Sequence, residues 1–224
     1  MILQLKNISK GFGDPLKSNF RKVLDGLNLE VDVNQKIAIE GPSGSGKTTL
    51  LNLIGTLDLA DSGEIFFKGK KITLYTQNEL SHFRNLELGF VFQMHHLLPQ
   101  CTLWENVLLP VLPIKNVISK AEKDWAEHLL RKAGIWDQRN QKPSELSGGE
   151  CQRTAVVRAM INKPQLILAD EPTGALDEQN ANNLADMLNH LSGEEGVSLI
   201  VVTHSSDLAS QMDKVYHLKN GKLQ

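Results

Sequence analysis

Two residues that can do chemistry, Lys47 and Thr48, stand at the end of a glycine-rich segment. The segment reads Gly41-Pro42-Ser43-Gly44-Ser45-Gly46-Lys47-Thr48 and fits the pattern G-x-x-x-x-G-K-[ST] at every position. Glycines allow the backbone to curl so that its N–H groups point at phosphate oxygens, and the helix that follows adds its own unpaired N–H groups. Lys47 supplies a positive charge to the β- and γ-phosphates, and the Thr48 hydroxyl is a ligand for Mg²⁺. The segment therefore predicts a loop that binds the phosphates of a nucleotide.

An acidic pair, Asp170-Glu171, follows the apolar run Leu166 to Ala169. An acidic residue at the carboxyl end of a parallel strand lies beside the phosphate site in α/β folds. We therefore expect Asp170 to hold Mg²⁺, directly or through water, and Glu171 to polarise the water that attacks the γ-phosphate. The alternative is a strand-end acidic pair that caps a helix, and the phosphate loop upstream argues against it.

Two further polar residues, His204 and Gln93, also come just after apolar strands. We expect His204 to contact the γ-phosphate, because its strand should end at the same edge of the sheet as Asp170. We expect Gln93 to reach Mg²⁺ or the attacking water. The alternatives are a structural histidine and a solvated loop glutamine.

A second helix start lies at Leu146 to Arg153, which reads Leu-Ser-Gly-Gly-Glu-Cys-Gln-Arg. Ser147 and Glu150 have the spacing of a capping box, and the two glycines between them allow close backbone approach to a negative group. An ordinary helix cap with flexible glycines explains the same residues, so their types alone leave the segment ambiguous.

The elements that must position these residues alternate between strands and helices. Almost wholly apolar strands between helices predict a parallel sheet that is buried on both faces. These strands are expected at 36–40, 166–169 and 198–202. Helices are expected at 48–57, directly after the phosphate loop, and from Ser119, which has capping-box spacing, to Ala133, with Gly134 as the stop.

The N-terminal region has a different pattern, with apolar residues alternating in the runs 2–5 and 27–31. The residues between them, 11–22, are rich in glycine, proline and charge and predict a loop between paired strands. From about 97 to 142 the pattern becomes helical, which predicts a helical subdomain inserted into the α/β core.

Composition limits the classes of function. The chain has 224 residues, 41% of them hydrophobic, and a formal net charge of -2, which argues against a nucleic-acid binder. No apolar run reaches the roughly 20 residues of a membrane span, and no signal peptide is evident. The two cysteines, Cys101 and Cys151, have no metal-ligand spacing, and a reducing compartment fits them best.

Together these motifs resemble those of the ATP-binding subunits of ABC transporters, over essentially the whole chain. Residues 41–48 resemble the Walker A loop, 146–153 the ABC signature, 166–171 Walker B, 174–177 the D-loop, Gln93 the Q-loop and His204 the switch histidine. The resemblance implies one ABC ATPase domain over 1–224, with a P-loop NTPase α/β core and an N-terminal antiparallel β subdomain at about 1–93 and 160–224. The helical subdomain would then span about 94–159.

The resemblance also implies a mechanism in which two copies of the chain pack head to tail around two ATP molecules. Ser147 and Gly149 of one copy would contact the γ-phosphate held by Lys47 of the other, and Phe12 would stack on adenine. The implied nucleotide-binding residues are Phe12, Gly41, Pro42, Ser43, Gly44, Ser45, Gly46, Lys47, Thr48, Thr49, Ser147, Gly148 and Gly149. The implied catalytic residues are Lys47, Gln93, Glu171 and His204, and the implied Mg²⁺ ligands are Thr48, Gln93 and Asp170.

A narrower resemblance, carried by the run Leu88 to Pro99, is to the LolD ATPases of lipoprotein-releasing LolCDE complexes. The run Leu168 to Gly174 also fits, and it is shared with the MacB and FtsE relatives. The resemblance to LolD implies a peripheral protein at the cytoplasmic face of the inner membrane, which contacts two LolC/LolE-like membrane subunits through the region after Gln93. MacB-like export and FtsE-like cell division remain alternatives, because Ala175 and Cys151 depart from the usual pattern.

Two other classes compete with this interpretation. Soluble ABC ATPases of DNA repair or translation need long insertions, tandem domains or basic surfaces, which this sequence does not show. A sensor that binds ATP without turnover is the other class, and the presence of Glu171 and His204 argues against it. A metal site at the adjacent pair His95-His96 is set aside, because no third ligand is evident.

Overall fold

The computed structural model describes residues 1–14, 17, 19–115 and 117–224. By their backbone contacts these residues form two compact units, Met1–Arg84 with Ser198–Gln224, and Asn85–Val197. None of the helices in these ranges is long and apolar enough to cross a membrane. The subdomain boundaries predicted from the sequence, 1–93 with 160–224 and 94–159, stay a prediction.

Strands and helices alternate along most of the described chain. The strands are β1 (Leu3–Phe12), β2 (Arg21–Val31), β3 (Lys36–Glu40), β4 (Ser62–Phe67), β5 (Lys70–Lys71), β6 (Leu88–Phe92), β7 (Leu166–Asp170), β8 (Ser198–Val202), β9 (Lys214–Lys219) and β10 (Lys222–Leu223). The helices are α1 (Lys47–Ile54), α2 (Gln77–Glu87), α3 (Leu103–Leu108), α4 (Lys120–Lys132), α5 (Gly148–Met160), α6 (Glu178–Glu194) and α7 (Ser206–Ser210). Short 3-10 turns lie at Ile72–Leu74, Leu109–Val111 and Pro143–Glu145.

In the first unit, an antiparallel sheet has the strand order β2-β1-β4-β5. Leu3 pairs with Val31 and Leu5 with Leu29, so the alternation of apolar residues places all four side chains in one core. Both strands extend beyond the runs 2–5 and 27–31, because the pairing continues past several register shifts into polar sequence. The predicted loop at 11–22 is therefore shorter in the structure, and part of it lies outside the described residues.

The same unit contains the parallel strands that lead to the phosphate loop. β3 pairs in parallel with β8, with Lys36 opposite Leu199 and Ile39 opposite Val202, and also with β9. β8 is buried along its whole length, as expected for a strand with apolar residues on both faces. The parallel pairing predicted from these apolar runs is confirmed.

In the second unit, β6 pairs in parallel with β7, and helix α5 packs against β6 and against the helices α3, α4 and α6. The capping box predicted for α4 is present, with Ser119 and Glu122 bonding to each other's backbone N–H groups. The helix ends at Lys132, and Gly134 follows in the left-handed region at φ 65°. The start and the stop predicted for this helix are both confirmed.

Candidate active site

The phosphate loop connects the end of β3, at Glu40, to the start of α1, at Lys47. Gly46 precedes the helix with φ 106°, and a Cβ atom added to it would lie 2.6 Å from Cγ1 of Val23. Both the dihedral angle and the available space therefore require glycine. Within the described chain no side chain caps this helix start. A helix N-terminus is a favourable place for an anion.

Helix α1 is shorter than the sequence predicts. The apolar pattern predicts a helix over 48–57, and the structure ends it at Ile54. Gly55 follows as the C-cap, and Thr56 has φ 55°, which no continuing α-helix accommodates. The apolar residue Leu57 extends the pattern without extending the helix, so the predicted end was wrong.

The Lys47 side chain folds back over its own loop and is only 6% exposed. Its Nζ atom donates to the carbonyl of Gly41 at 2.8 Å and lies 3.0 Å from Nε2 of His204. A lysine ammonium has donors only, so Nε2 must accept, which places the proton of a neutral His204 on Nδ1. The structure thus brings together two residues that the sequence separates by 157 positions.

One polar atom inside the loop supports a phosphate ligand. Oγ of Ser45 is buried and has no hydrogen-bond partner among the residues that the structure describes. A buried hydroxyl without a partner costs about 1–3 kcal/mol, and a phosphate oxygen accepts from a hydroxyl. The opposite rim of the loop is held by Arg21, whose Nη2 donates to the carbonyl of Gly44 at 2.9 Å. These features fit the phosphates of a nucleotide.

Phe12 is the last residue of β1, and its side chain is 49% exposed. An aromatic near a strand end is more often part of a core, and this exposure argues against that alternative. The ammonium of Lys10 lies 5.4 Å from the ring centroid and is itself held by Asp58 and by the carbonyl of Leu59. The ring is therefore accessible for stacking at one end of the antiparallel sheet.

In the second unit, the acidic pair lies where the sequence predicts it. Asp170 is the last residue of β7 and is paired with Phe92 of β6, so Glu171 and Gln93 both follow the paired strand ends. Glu171 has φ 45°, which is uncommon for a residue with a side chain and costs of order 1–3 kcal/mol. Its Oε1 atom is buried. Strain of this size in an acidic residue at a strand end is typical of a functional site.

A tight turn after Glu171 brings the Q-loop glutamine close to the start of the D-loop. The N–H of Gly174 donates to the carbonyl of Glu171 at 3.0 Å. A Cβ atom added to Gly174 would lie 3.1 Å from Nε2 of Gln93. Of the predicted Mg²⁺ ligands, the second unit therefore holds Gln93 and Asp170, and the first unit holds Thr48 in the first turn of α1.

The signature segment begins helix α5 with the predicted capping box. The Glu150 carboxylate accepts from the Ser147 backbone N–H at 2.8 Å and from its hydroxyl at 2.7 Å. The bonds from the Ser147 side chain and backbone lower the pKa of Glu150 below its ordinary value, so the carboxylate remains an acceptor. Ser147 and Gly148 are exposed at this helix start.

Three polar residues near these motifs were not found from the sequence. Asn180 lies against the signature, because a Cβ atom added to Gly149 would be 2.9 Å from its Oδ1, while its Nδ2 donates to Asp177. Gln152 and Arg158 of α5 donate to backbone carbonyls at and after the end of β6. The sequence holds no signal for these bonds, because their acceptors are backbone carbonyls.

A family profile described as "ABC transporter" matches residues 24–174. The chain belongs to the ABC transporter family. This ABC ATPase is 42% identical over 224 residues to the lipoprotein-releasing system ATP-binding protein LolD of Francisella tularensis subsp. holarctica (strain OSU18), covering all of the chain and 96% of that protein. It is 45% identical over 223 residues to LolD of Saccharophagus degradans, covering 99% of the chain and 96% of that protein.

Solved structures agree with the sequence comparisons. The ABC ATPase superimposes on the ATP-binding cassette MJ0796, a dimer in a post-hydrolysis state with ADP and Pi, with a TM-score of 0.89 and 36% identity. The match covers all of the chain and 97% of that structure. The ABC ATPase fold predicted from the sequence is confirmed, as is the prediction that the chain is an ATPase of this family.

Proposed function

We propose that this ABC ATPase hydrolyses ATP to drive the release of lipoproteins from the inner membrane, as a peripheral subunit at its cytoplasmic face. The observation that carries the proposal is the similarity to curated LolD proteins over the full length of both chains, at 42% and 45% identity.

The roles of the phosphate-loop residues follow from their chemistry. Backbone N–H groups of the phosphate loop and of the start of α1 bind the phosphates of ATP, and Lys47 neutralises the β- and γ-phosphates. In this structure the Lys47 ammonium donates to the carbonyl of Gly41 and contacts His204. A phosphate bound at the loop competes with both of these groups for the ammonium. His204 is then available to contact the γ-phosphate, and the exposed ring of Phe12 stacks on adenine.

Mg²⁺ fits the oxygen atoms that the remaining polar residues offer. Thr48, Gln93 and Asp170 provide a hydroxyl, an amide and a carboxylate oxygen, the ligand types that this ion prefers. A bound Mg²⁺ would supply positive charge to the phosphates of ATP, and these residues are the ones that would hold it. Glu171 accepts a hydrogen bond from the attacking water and so increases its nucleophilicity.

The signature helix start serves a second copy of the chain. Ser147 caps α5 and Gly148 begins it, and both are exposed, so a phosphate can approach this helix start from outside. A homodimer in which each copy completes the ATP site of the other gives these residues a use. The dimeric arrangement in the MJ0796 structures supports the proposal.

The membrane partners are two LolC/LolE-like integral subunits that dock on the segment after Gln93. Met94 is 63% exposed there, and Leu98 is also exposed, so this segment presents apolar side chains to water. Exposed apolar surface of this kind is typical of a site for another protein.

Reconstitution tests the proposal. The chain is co-expressed with a LolC/LolE-like pair, purified as a complex and placed in proteoliposomes that carry a triacylated lipoprotein. We expect ATP-dependent release of the lipoprotein to a soluble carrier, and no release with Glu171→Gln. A different outcome is that the chain fails to assemble with this pair and assembles with a MacB-like or FtsE-like partner. That result would contradict lipoprotein release and support the corresponding alternative function.

A further inference from the structure

The last residue of β6 and the segment that follows it, together residues 92–98, are bound to helix α5 through their own backbone carbonyls. Nε2 of Gln152 donates to the carbonyl of Phe92 at 2.6 Å. The two terminal nitrogens of Arg158 donate to the carbonyls of His95 and His96, both at 2.7 Å. Two side chains of one helix therefore hold the segment on both sides of Gln93.

Gln152 is buried, and Arg158 is partly buried. Gln152 is 3% exposed, and burial lowers the pKa of the Arg158 guanidinium from its ordinary value. A buried donor that loses its acceptor has no water to replace it, which is strongly unfavourable. Separating residues 92–98 from α5 would leave the buried Gln152 donor without a partner and would break both bonds of the partly buried Arg158, so the two are more stable together.

Residues 93–98 depend on such bonds because they belong to neither a helix nor a strand. His96 has φ 47°, an uncommon conformation for a residue with a side chain. The far end is held by the fully buried Asn106 of α3, which accepts from the N–H of Leu98 at 2.8 Å and donates to its carbonyl at 3.1 Å. Because α3 packs against α5, the segment is attached at both ends to helices that contact each other.

Ser147 is the N-cap of the same helix α5. The helix has 13 residues and a length of about 20 Å, over which an α-helix is stiff. A displacement of residues 92–98 must therefore either move the helix or break the bonds to Gln152 and Arg158. Met94 projects from the same segment into water, so a force applied there reaches Ser147 through α5.

We propose that Gln152 and Arg158 are positioning residues for ATP hydrolysis, which make Gln93 and the helix start at Ser147 move as one body. The inference rests on the proposed roles of Gln93 and Ser147 in hydrolysis. Neither Gln152 nor Arg158 needs to contact ATP for this purpose. Their substitution acts on turnover and on dimer closure, and the affinity of the monomer for ATP is unchanged.

The test uses Gln152→Met, which keeps the length of the side chain and removes its donor, and Arg158→Lys, which keeps the charge and cannot serve both carbonyls. Gln141→Met, on an exposed side chain of the same unit, is the matched control. Hydrogen exchange measured by mass spectrometry on the nucleotide-free chain reports the amides of residues 93–98. Steady-state kinetics and equilibrium ATP binding to the monomer are measured on the same proteins.

We expect exchange in residues 93–98 to accelerate about tenfold and kcat to fall about tenfold in both variants, with ATP affinity of the monomer within about twofold of wild type. The control should match the wild type in all three measurements. Unchanged exchange, or faster exchange with a wild-type kcat, overturns the inference. If Gln152→Met does not fold, Arg158→Lys decides. Absence of hydrolysis by the wild-type chain would instead contradict the proposed function, while exchange still reports on the attachment itself.

Discussion

Nζ of Lys47 lies 3.0 Å from Nε2 of His204, so the cation of the phosphate loop and the histidine after β8 share one hydrogen bond. The lysine also donates to the carbonyl of Gly41. These bonds satisfy a side chain that is almost fully buried and carries a charge, which is otherwise costly. A phosphate that accepts a hydrogen bond from the Lys47 ammonium replaces the bond to Nε2 of His204. One ligand can therefore change the contacts of both residues.

Lys47→Ala should lose ATP binding, because the buried cation that faces the β- and γ-phosphates is gone. Binding is measured with a fluorescent ATP analogue, and Lys70→Ala, at an exposed lysine in β5, is the control. ATP affinity equal to wild type would show that the loop is not the nucleotide site.

His204→Ala should separate binding from turnover. The loop and Lys47 remain, so ATP affinity should stay within about threefold, while kcat falls by about 10²–10³ if a contact to the γ-phosphate is lost. His82→Ala, at an exposed histidine of α2, provides the comparison. An equal loss of affinity and turnover would instead assign His204 to holding Lys47 in place.

Glu171→Gln should bind ATP and hydrolyse it about 10²–10⁴ times more slowly, because the amide is a poor acceptor for a proton of the attacking water. Slow hydrolysis should trap a dimer, visible by size-exclusion chromatography with light scattering in the presence of ATP and Mg²⁺. Glu178→Gln changes an exposed carboxylate seven positions further along and should stay monomeric with wild-type turnover. Wild-type turnover by Glu171→Gln would show that another group polarises the water.

Local features of the fold could be predicted from the sequence because their causes are local. The apolar runs of β3 and β8 predict their parallel pairing, and the serine–glutamate spacings at Ser119 and Ser147 predict two helix starts. The predicted end of α1 was three residues too late, because a turn at Gly55 and Thr56 ends the helix although the apolar pattern continues. Strand β1 is longer than its apolar run, because backbone pairing across register shifts does not require apolar side chains.

In the candidate site, too, local features could be predicted from the sequence and long-range contacts could not. Motif spacing predicts which residues act, such as Lys47 and Glu171, but not the geometry that connects them. The contact between Lys47 and His204 spans 157 positions, and the bond from Gln152 to Phe92 spans 60. A backbone carbonyl carries no signature in the sequence, so a side chain that binds one can be found only in the folded chain.

Acid should weaken the start of α4. Bonds from Lys115, and then from the N–H and hydroxyl of Ser119, lower the pKa of Glu122 from 4.5 to about 2. A carboxylate whose pKa is lower in the folded state stabilises the fold above its unfolded pKa, and this stabilisation is lost as the pH falls from about 4.5 to about 2. The free energy of unfolding, measured by urea titration across this window, should fall more steeply for wild type than for Glu122→Gln. Parallel pH profiles would show that Glu122 titrates alike in both states.

Ser147→Arg is the most specific test of a shared ATP site. The bulky cation at an exposed helix start should prevent a second copy from approaching and abolish hydrolysis, while ATP still binds the monomer, because residues 41–48 are unchanged. Losing the serine also removes a helix cap, which costs about 1 kcal/mol. Ser119→Arg removes the same capping box from α4 and therefore controls for that loss. If Ser147→Arg alone stops turnover, measured with ATP affinity held equal, the signature acts on ATP from outside its own chain; if both variants hydrolyse ATP normally, one copy of the chain suffices for catalysis.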